Sequence, residues 1–136
     1  MAVKRYSKLI VLERRGPALE FAGDEPREPI AIDRQRIISS DEAVGLREVP
    51  KTLAVLGAGA VGVEFASIFS RFGSDVTVFE MATRLVPVED EHVSAELAKS
   101  FRKQGITCHT GATLTRATAN RDGVDIQALL GDGTTV

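Results

Sequence analysis

An α/β fold built on a parallel sheet is predicted by three features of this 136-residue sequence. A short apolar run, Leu53-Ala-Val-Leu56, leads at once into glycines at positions 57, 59 and 62. A helical stretch with an apolar stripe follows them. A second β-rich run, carried by Val76, Val78 and Phe79, then closes on Glu80. Strand, helix and strand in that order form a βαβ unit, whose crossover makes the two strands parallel.

The elements are justified in chain order. Residues 9–12, Leu-Ile-Val-Leu, can form a strand, with a turn at Arg14-Arg15-Gly16-Pro17 and a short return over residues 18–21. Residues 23–29 read as an exposed linker, dense in charge and proline. Leu53 to Leu56, bounded by Pro50-Lys51 and Gly57, suits a strand covered on both faces. In the next helix Val61, Phe65, Ile68, Phe69 and Phe72 are expected to make one buried stripe. Gly73 stands where a helix end commonly needs a left-handed residue.

A loop containing Pro87 separates Glu80 from a second helix, for which Asp90 is the expected cap and Glu91 a favourable first-turn charge. Val93, Leu97 and Phe101, with Ala98 beside them, mark its buried side. Lys99, Arg102 and Lys103 suit its negative end, and Gly105 terminates it. Residues 106–109 give a further strand, in which Cys108 and His109 read as structural. Residues 114–119 and 124–130, and a strand beginning near Thr134, are separated by the turn segments Asn120-Arg-Asp-Gly123 and Gly131-Asp-Gly133. Alternation of Val124, Ile126, Ala128 and Leu130 with polar residues gives that hairpin one buried face.

The chemistry lies in the turn. Gly57 permits a tight exit from the strand, Gly59 allows a pyrophosphate to approach the backbone, and Gly62 lets the helix pack closely on the strand. A pyrophosphate would meet unpaired N–H groups at the positive end of the helix dipole. Glu80, close to the ~20 residues downstream that such sites require, can accept hydrogen bonds from ribose hydroxyls. Its charge would repel a 2′-phosphate, and Met81, Ala82 and Thr83 offer no cation to hold one. Arg84 lies several residues past the strand. These residues favour NAD(H) over NADP(H).

Several separated segments resemble the flavoprotein disulfide reductases, and among them most closely the dihydrolipoamide dehydrogenase type. They are Ile37-Ile-Ser-Ser-Asp-Glu-Ala43, Val49-Pro-Lys-Thr-Leu53, the glycine turn through Ser67, Val76-Thr-Val-Phe-Glu80, Arg84-Leu-Val-Pro87, Asp90 and Gln104-Gly-Ile106. The likeness covers residues 35–136. It implies a central NAD-binding domain: a Rossmann-like parallel sheet with helices on its faces and a three-stranded antiparallel connection. The implied cofactor-binding set is Gly57, Gly59, Ala60, Val61, Gly62, Glu64 and Glu80, with Glu64 toward the nicotinamide. An ordinary first-turn helix acid is an equal reading of Glu64.

The departures from that family pattern are informative. Its chemistry passes electrons between dihydrolipoamide and NAD through a redox disulfide and FAD, and its enzymes are homodimers. This sequence has one cysteine, Cys108, and no second glycine cluster for FAD. His92 and Glu96, four residues apart, do not match the family's catalytic His-Glu motif and read as a surface pair. The expectation is therefore an NAD-binding unit with no catalytic residues and no metal site of its own, and no FAD bound by this chain alone. Residues 1–36 would be an N-terminal strand and linker, and residues 37–136 the nucleotide domain, truncated before its last strand. That would leave the edge of residues 52–56 unpaired unless residues 8–12 occupy it. The alternatives are an autonomous NAD module working with a separate flavoprotein chain, or part of a related NADH oxidase or ferredoxin reductase.

Composition bounds the rest. With 43% hydrophobic residues and a formal charge of −2, the sequence is the size of one domain and gives no reason to expect nucleic acid or an anionic membrane as partner. No apolar run approaches the ~20 residues of a membrane span. The absence of an apolar signal core and the single cysteine suggest a cytoplasmic protein, with the mitochondrial matrix the other option.

Overall fold

A computed structural model describes residues 3–12 and 30–136. The turn expected at residues 14–17, the return at 18–21 and the linker at 23–29 lie outside the described residues. The elements are β1 (Lys4–Tyr6), β2 (Lys8–Val11), β3 (Ile37–Ile38), α1 (Ser40–Val44), β4 (Thr52–Leu56), α2 (Ala60–Arg71), β5 (Asp75–Glu80), α3 (Glu91–Lys103), β6 (Thr107–Thr110), β7 (Thr113–Asn120) and β8 (Gly123–Leu129). Among the described residues no helix is long and apolar enough to cross a membrane.

Five strands form an all-parallel sheet in the order β3-β2-β4-β5-β6. Its side chains alternate, as the two-residue period of a strand requires. Ile10, Leu53, Val55, Val76 and Val78 face one core, which Ala43 of α1, Ala66 and Phe69 of α2 and Phe101 of α3 also enter. Leu9, Ala54 and Phe79 face a second core, closed by Tyr6, Leu114, Val124, Ile126 and Ala128 from an antiparallel sheet of order β1-β8-β7. The molecule is thus a helix layer, a parallel sheet and an antiparallel sheet. Among the described residues the helices lie on one face of the parallel sheet, and β1, β7 and β8 occupy the other.

The N-terminal strand closes the edge that the sequence left in question. Lys8 to Val11 pair in parallel with Leu53 to Leu56 of β4, and Leu12 N–H donates to the Leu56 carbonyl at 3.1 Å. The Asp33 carboxylate accepts from the N–H groups of Gln35, Arg36 and Ile37, bending the chain into β3, which then adds outside β2.

Two expectations need correction. The third strand of the antiparallel sheet is β1, paired with β8 at Lys4–Ile126, Arg5–Asp125 and Tyr6–Val124. The chain near Thr134 does pair with the end of β8, through a bridge between Thr135 and Leu129 and through backbone hydrogen bonds exchanged by Ala128 and Val136 and donated by Leu130 N–H to the Thr134 carbonyl, but it forms no extended strand. The buried faces of the helices also differ from the expected stripes. On α2 the sheet-facing residues are Gly62, Ala66 and Phe69, whereas Val61, Ile68 and Phe72 are 48%, 45% and 65% exposed. The start of the helix takes glycine against the sheet because it sits too close there for a side chain: a Cβ at Gly62 would stand 2.0 Å from the Gly57 carbonyl oxygen. On α3 the buried residues are Ser94 and Phe101, with Leu97 and Ala98 packed beside them, and Val93 faces solvent.

The helix ends follow the sequence. Asp90 caps α3 by accepting from His92 N–H at 2.8 Å. Gly73 and Gly105 take positive φ, 100° and 78°, just past α2 and α3. Ser39 and Glu42 form a capping box on α1, with Ser39 N–H donating to the Glu42 carboxylate at 2.9 Å.

Candidate functional site

The candidate site lies where β4, α2 and β5 converge at the carboxyl end of the parallel sheet, where open α/β sheets bind ligands. Three glycines shape it by three different means. Gly57 turns the chain at φ 104°, and its N–H donates to the Phe79 carbonyl at 2.9 Å. Gly62 gives the close helix–strand contact described above. Gly59 is the N-cap of α2, and a Cβ built on it would meet nothing within 4 Å. Its missing side chain therefore opens the turn outward, toward space a ligand can enter.

The first turn of α2 is left without a side-chain partner. Gly59 provides no side-chain cap, and no acidic residue occupies the turn. The first intrahelical bond runs from Val63 N–H to the Gly59 carbonyl at 3.1 Å, so the N–H groups of Ala60, Val61 and Gly62 precede the helical ladder. Aligned with the positive end of the dipole, they can receive an anion. Ala60 and Val61 are exposed here, and Glu64 is exposed one turn further on.

Glu80 ends β5 beneath the turn and is only 5% exposed. Its Oε2 accepts from Ala58 N–H at 2.7 Å and its Oε1 from Ala82 N–H at 2.7 Å. The Ala58 carbonyl in turn accepts from Val86 N–H at 2.8 Å. Val86 holds φ 40°, a rare conformation for a β-branched residue. The turn and the loop after β5 are thus tied to each other through one residue, Ala58. Sequence reading missed Ala58, Ala82 and Val86, since each acts through its backbone and carries no side-chain signal.

The neighbouring charged and polar groups are otherwise engaged. The Arg84 guanidinium donates to Glu91 at 3.1 Å and to the Pro87 and Glu89 carbonyls at 3.0 Å, folding the loop over itself. Ser94 of α3 donates to the Leu85 carbonyl and anchors the loop to that helix. His109 stacks on Phe79 with ring centroids 5.3 Å apart. Burial, and then the nearby Lys4, hold its imidazole below the usual range. Burial pushes the Cys108 thiol up to about 11, so it is a packed side chain and a poor nucleophile. Glu96 forms its ion pair with Lys99. Among the described residues no cluster of His, Cys, Asp or Glu could hold a metal ion.

The sheet, the glycine turn and the acid at the end of the second strand define the class: a Rossmann-like α/β unit. The chain belongs to the pyridine nucleotide-disulphide oxidoreductase family, whose model matches residues 15–136. It is 43% identical over 98 residues to a dihydrolipoyl dehydrogenase of Chlorobaculum tepidum, covering 72% of this chain and 21% of that protein. The chain therefore spans about a fifth of the length of that relative.

Solved structures agree. A HOCl-induced flavoprotein disulfide reductase from Escherichia coli matches with a TM-score of 0.57 and 34% identity, over 68% of this chain and 21% of that one. A water-forming NADH oxidase from Lactobacillus brevis, bound to NADH, matches with a TM-score of 0.55 and 27% identity, over 63% and 19%. Its engineered NADPH-bound form matches at 0.56 and 25%, over the same shares.

Proposed function

We propose that this chain supplies the NAD(H)-holding unit of a dihydrolipoyl dehydrogenase-like oxidoreductase. The observation that carries this reading is the uncapped first turn of α2, opening beside Gly59 onto free space above Glu80. In this reading the backbone at Gly57, Gly59, Ala60, Val61 and Gly62 holds the pyrophosphate, and Glu80 accepts from the adenosine ribose. Glu64, exposed on the next turn, extends the site along the helix. Residues 37–136 form the nucleotide unit, and strands β1 and β2 complete its two sheets. NAD, when bound, supplies hydride-transfer chemistry; the residues here bind and orient it. A flavin and a redox disulfide would belong to the rest of such an enzyme or to a partner flavoprotein chain.

NAD is favoured over NADP for two reasons. The only cation of the loop, Arg84, is committed to Glu91 and two carbonyls. The engineered NADPH oxidase also differs from its NADH-using parent by losing an aspartate and gaining two arginines. Its five exchanged residues begin at a glycine and continue 18, 19, 20 and 25 positions beyond it. At the same spacing this chain has Gly62, Glu80, Met81, Ala82 and Pro87, which include an acid and no arginine.

Calorimetric titration of the full chain with NAD and with NADP tests the proposal. NAD is expected to bind at least tenfold more tightly, and Glu80→Ala to weaken NAD more than NADP. Equal affinities for the two, or no binding of either, would overturn it.

A further inference from the structure

We propose that Glu80 is a positioning residue for the phosphate-binding turn, in addition to any contact it makes with a ribose. This rests on the nucleotide reading above and deepens it. Both carboxylate oxygens already hold backbone N–H groups, Ala58 in the turn and Ala82 in the loop after β5. Glu80 is itself fixed from behind, since its carbonyl accepts from Ala112 N–H at 2.9 Å and its residue pairs with Thr110 of β6. The carboxylate is therefore a rigid post. Ala58 is thereby held on both sides of its Cα, the peptide before it through its N–H on Glu80 and the peptide after it through its carbonyl, which accepts from Val86 N–H.

Ala58 directly precedes Gly59, the cap of α2. Its orientation sets where the chain enters the helix and hence where the first N–H groups point. Two features make this more than a passing contact. Glu80 is 5% exposed, so the N–H groups replace the water a carboxylate would otherwise require. The strained Val86 conformation is retained where its N–H closes the same clamp. Each carboxylate oxygen keeps a further lone pair, so a ribose contact and the clamp can coexist.

The two roles separate by probe. A residue that only reads ribose has no favourable contact with inorganic pyrophosphate, and removing its negative charge would leave that ligand unchanged or strengthen it. A positioning residue weakens pyrophosphate when it is altered. The experiment uses the full chain and Glu80→Gln, which keeps one acceptor oxygen and loses the other. Amide hydrogen exchange in the free protein reads the clamp, and titrations with NAD and with inorganic pyrophosphate read the site.

The expected result is at least tenfold faster exchange at Ala58, Ala82 and Val86 in Glu80→Gln, with the central β4 amides unchanged. Pyrophosphate and NAD affinities are expected to fall together, severalfold each. Unchanged exchange at Ala58 would overturn the proposal, as would loss of NAD affinity with pyrophosphate affinity intact. Should Glu80→Gln not fold, the wild-type chain decides: Ala58 N–H must be protected well above the exposed Ala60 N–H, and equal exchange overturns the clamp. If the wild type binds neither ligand, the nucleotide reading falls while the exchange comparison still decides the clamp.

Discussion

The first turns of α2 and α3 present the same problem and solve it differently. Every α-helix begins with unpaired N–H groups and a positive dipole end. On α3 the chain supplies its own anion: Asp90 accepts from His92 N–H, and Glu91 stands in the first turn. On α2 it supplies none, because Gly59 replaces the cap and the first turn carries no acid. The capped helix is a structural part. The uncapped one, placed at the carboxyl end of a parallel sheet, is left able to take its anion from outside.

The largest expected effect tests the close contact that brings α2 to the turn. Gly62→Val would set a Cβ against the Gly57 carbonyl, where 2.0 Å is available. A loss of about 3 kcal/mol or more is expected in denaturant unfolding, with loss of NAD binding. Stability within about 1 kcal/mol of wild type would show that the turn relaxes freely.

Exchanging the two solutions is the next test. Gly59→Asp gives α2 the kind of cap that α3 has, at a position with φ −70° and open space around it. Stability should hold or rise by a few tenths of a kcal/mol, while NAD affinity should fall about a hundredfold as the carboxylate occupies and repels the pyrophosphate site. Unchanged NAD affinity in calorimetry would mean that the uncapped turn is not where the ligand binds.

The reverse change, Asp90→Ala, removes the cap of α3. It should lower stability by about 1 kcal/mol and leave NAD affinity alone, which thermal unfolding and titration together would establish. The smallest effect is expected from Glu91→Gln. Its pair with Arg84 is solvent-exposed, with side chains 36% and 84% accessible. After screening it contributes only about 0.2–1 kcal/mol. Any gain in NADP affinity in that variant would show that Glu91 keeps Arg84 from a 2′-phosphate.

Much of this site was legible because its determinants are local. Gly57, Gly59 and Gly62 each answer a backbone demand within one turn, and Glu80 closes a strand whose β-rich run announces it. The clamp that the Glu80 carboxylate makes was not legible. Its partners are N–H groups of Ala58, 22 residues away, and of Ala82, and neither residue type signals a donor. The stripe on α2 misled for a related reason. Phe69 is buried and Phe65 packs against the same core, but the close approach at Gly62 gives the rest of the sheet-facing side to Gly62 and Ala66 and leaves Val61, Ile68 and Phe72 in solvent. The Ser39–Glu42 capping box is local in the same way, a serine followed three positions on by a glutamate.

The sequence by itself determined the βαβ unit, the glycine turn and the caps, since these follow from residue period, backbone freedom and side chains reaching three or four positions. Tertiary structure alone decided which strands complete the two sheets. Lys4 meets Ile126 and Lys8 meets Leu53 through pairings between segments far apart in the chain. Strand pairing of this kind is chosen by the burial of whole faces and not by any local residue preference. The same holds for the buried post under the turn: the sequence placed a carboxylate at Glu80, and only packing against β6 and the following loop decided what it holds.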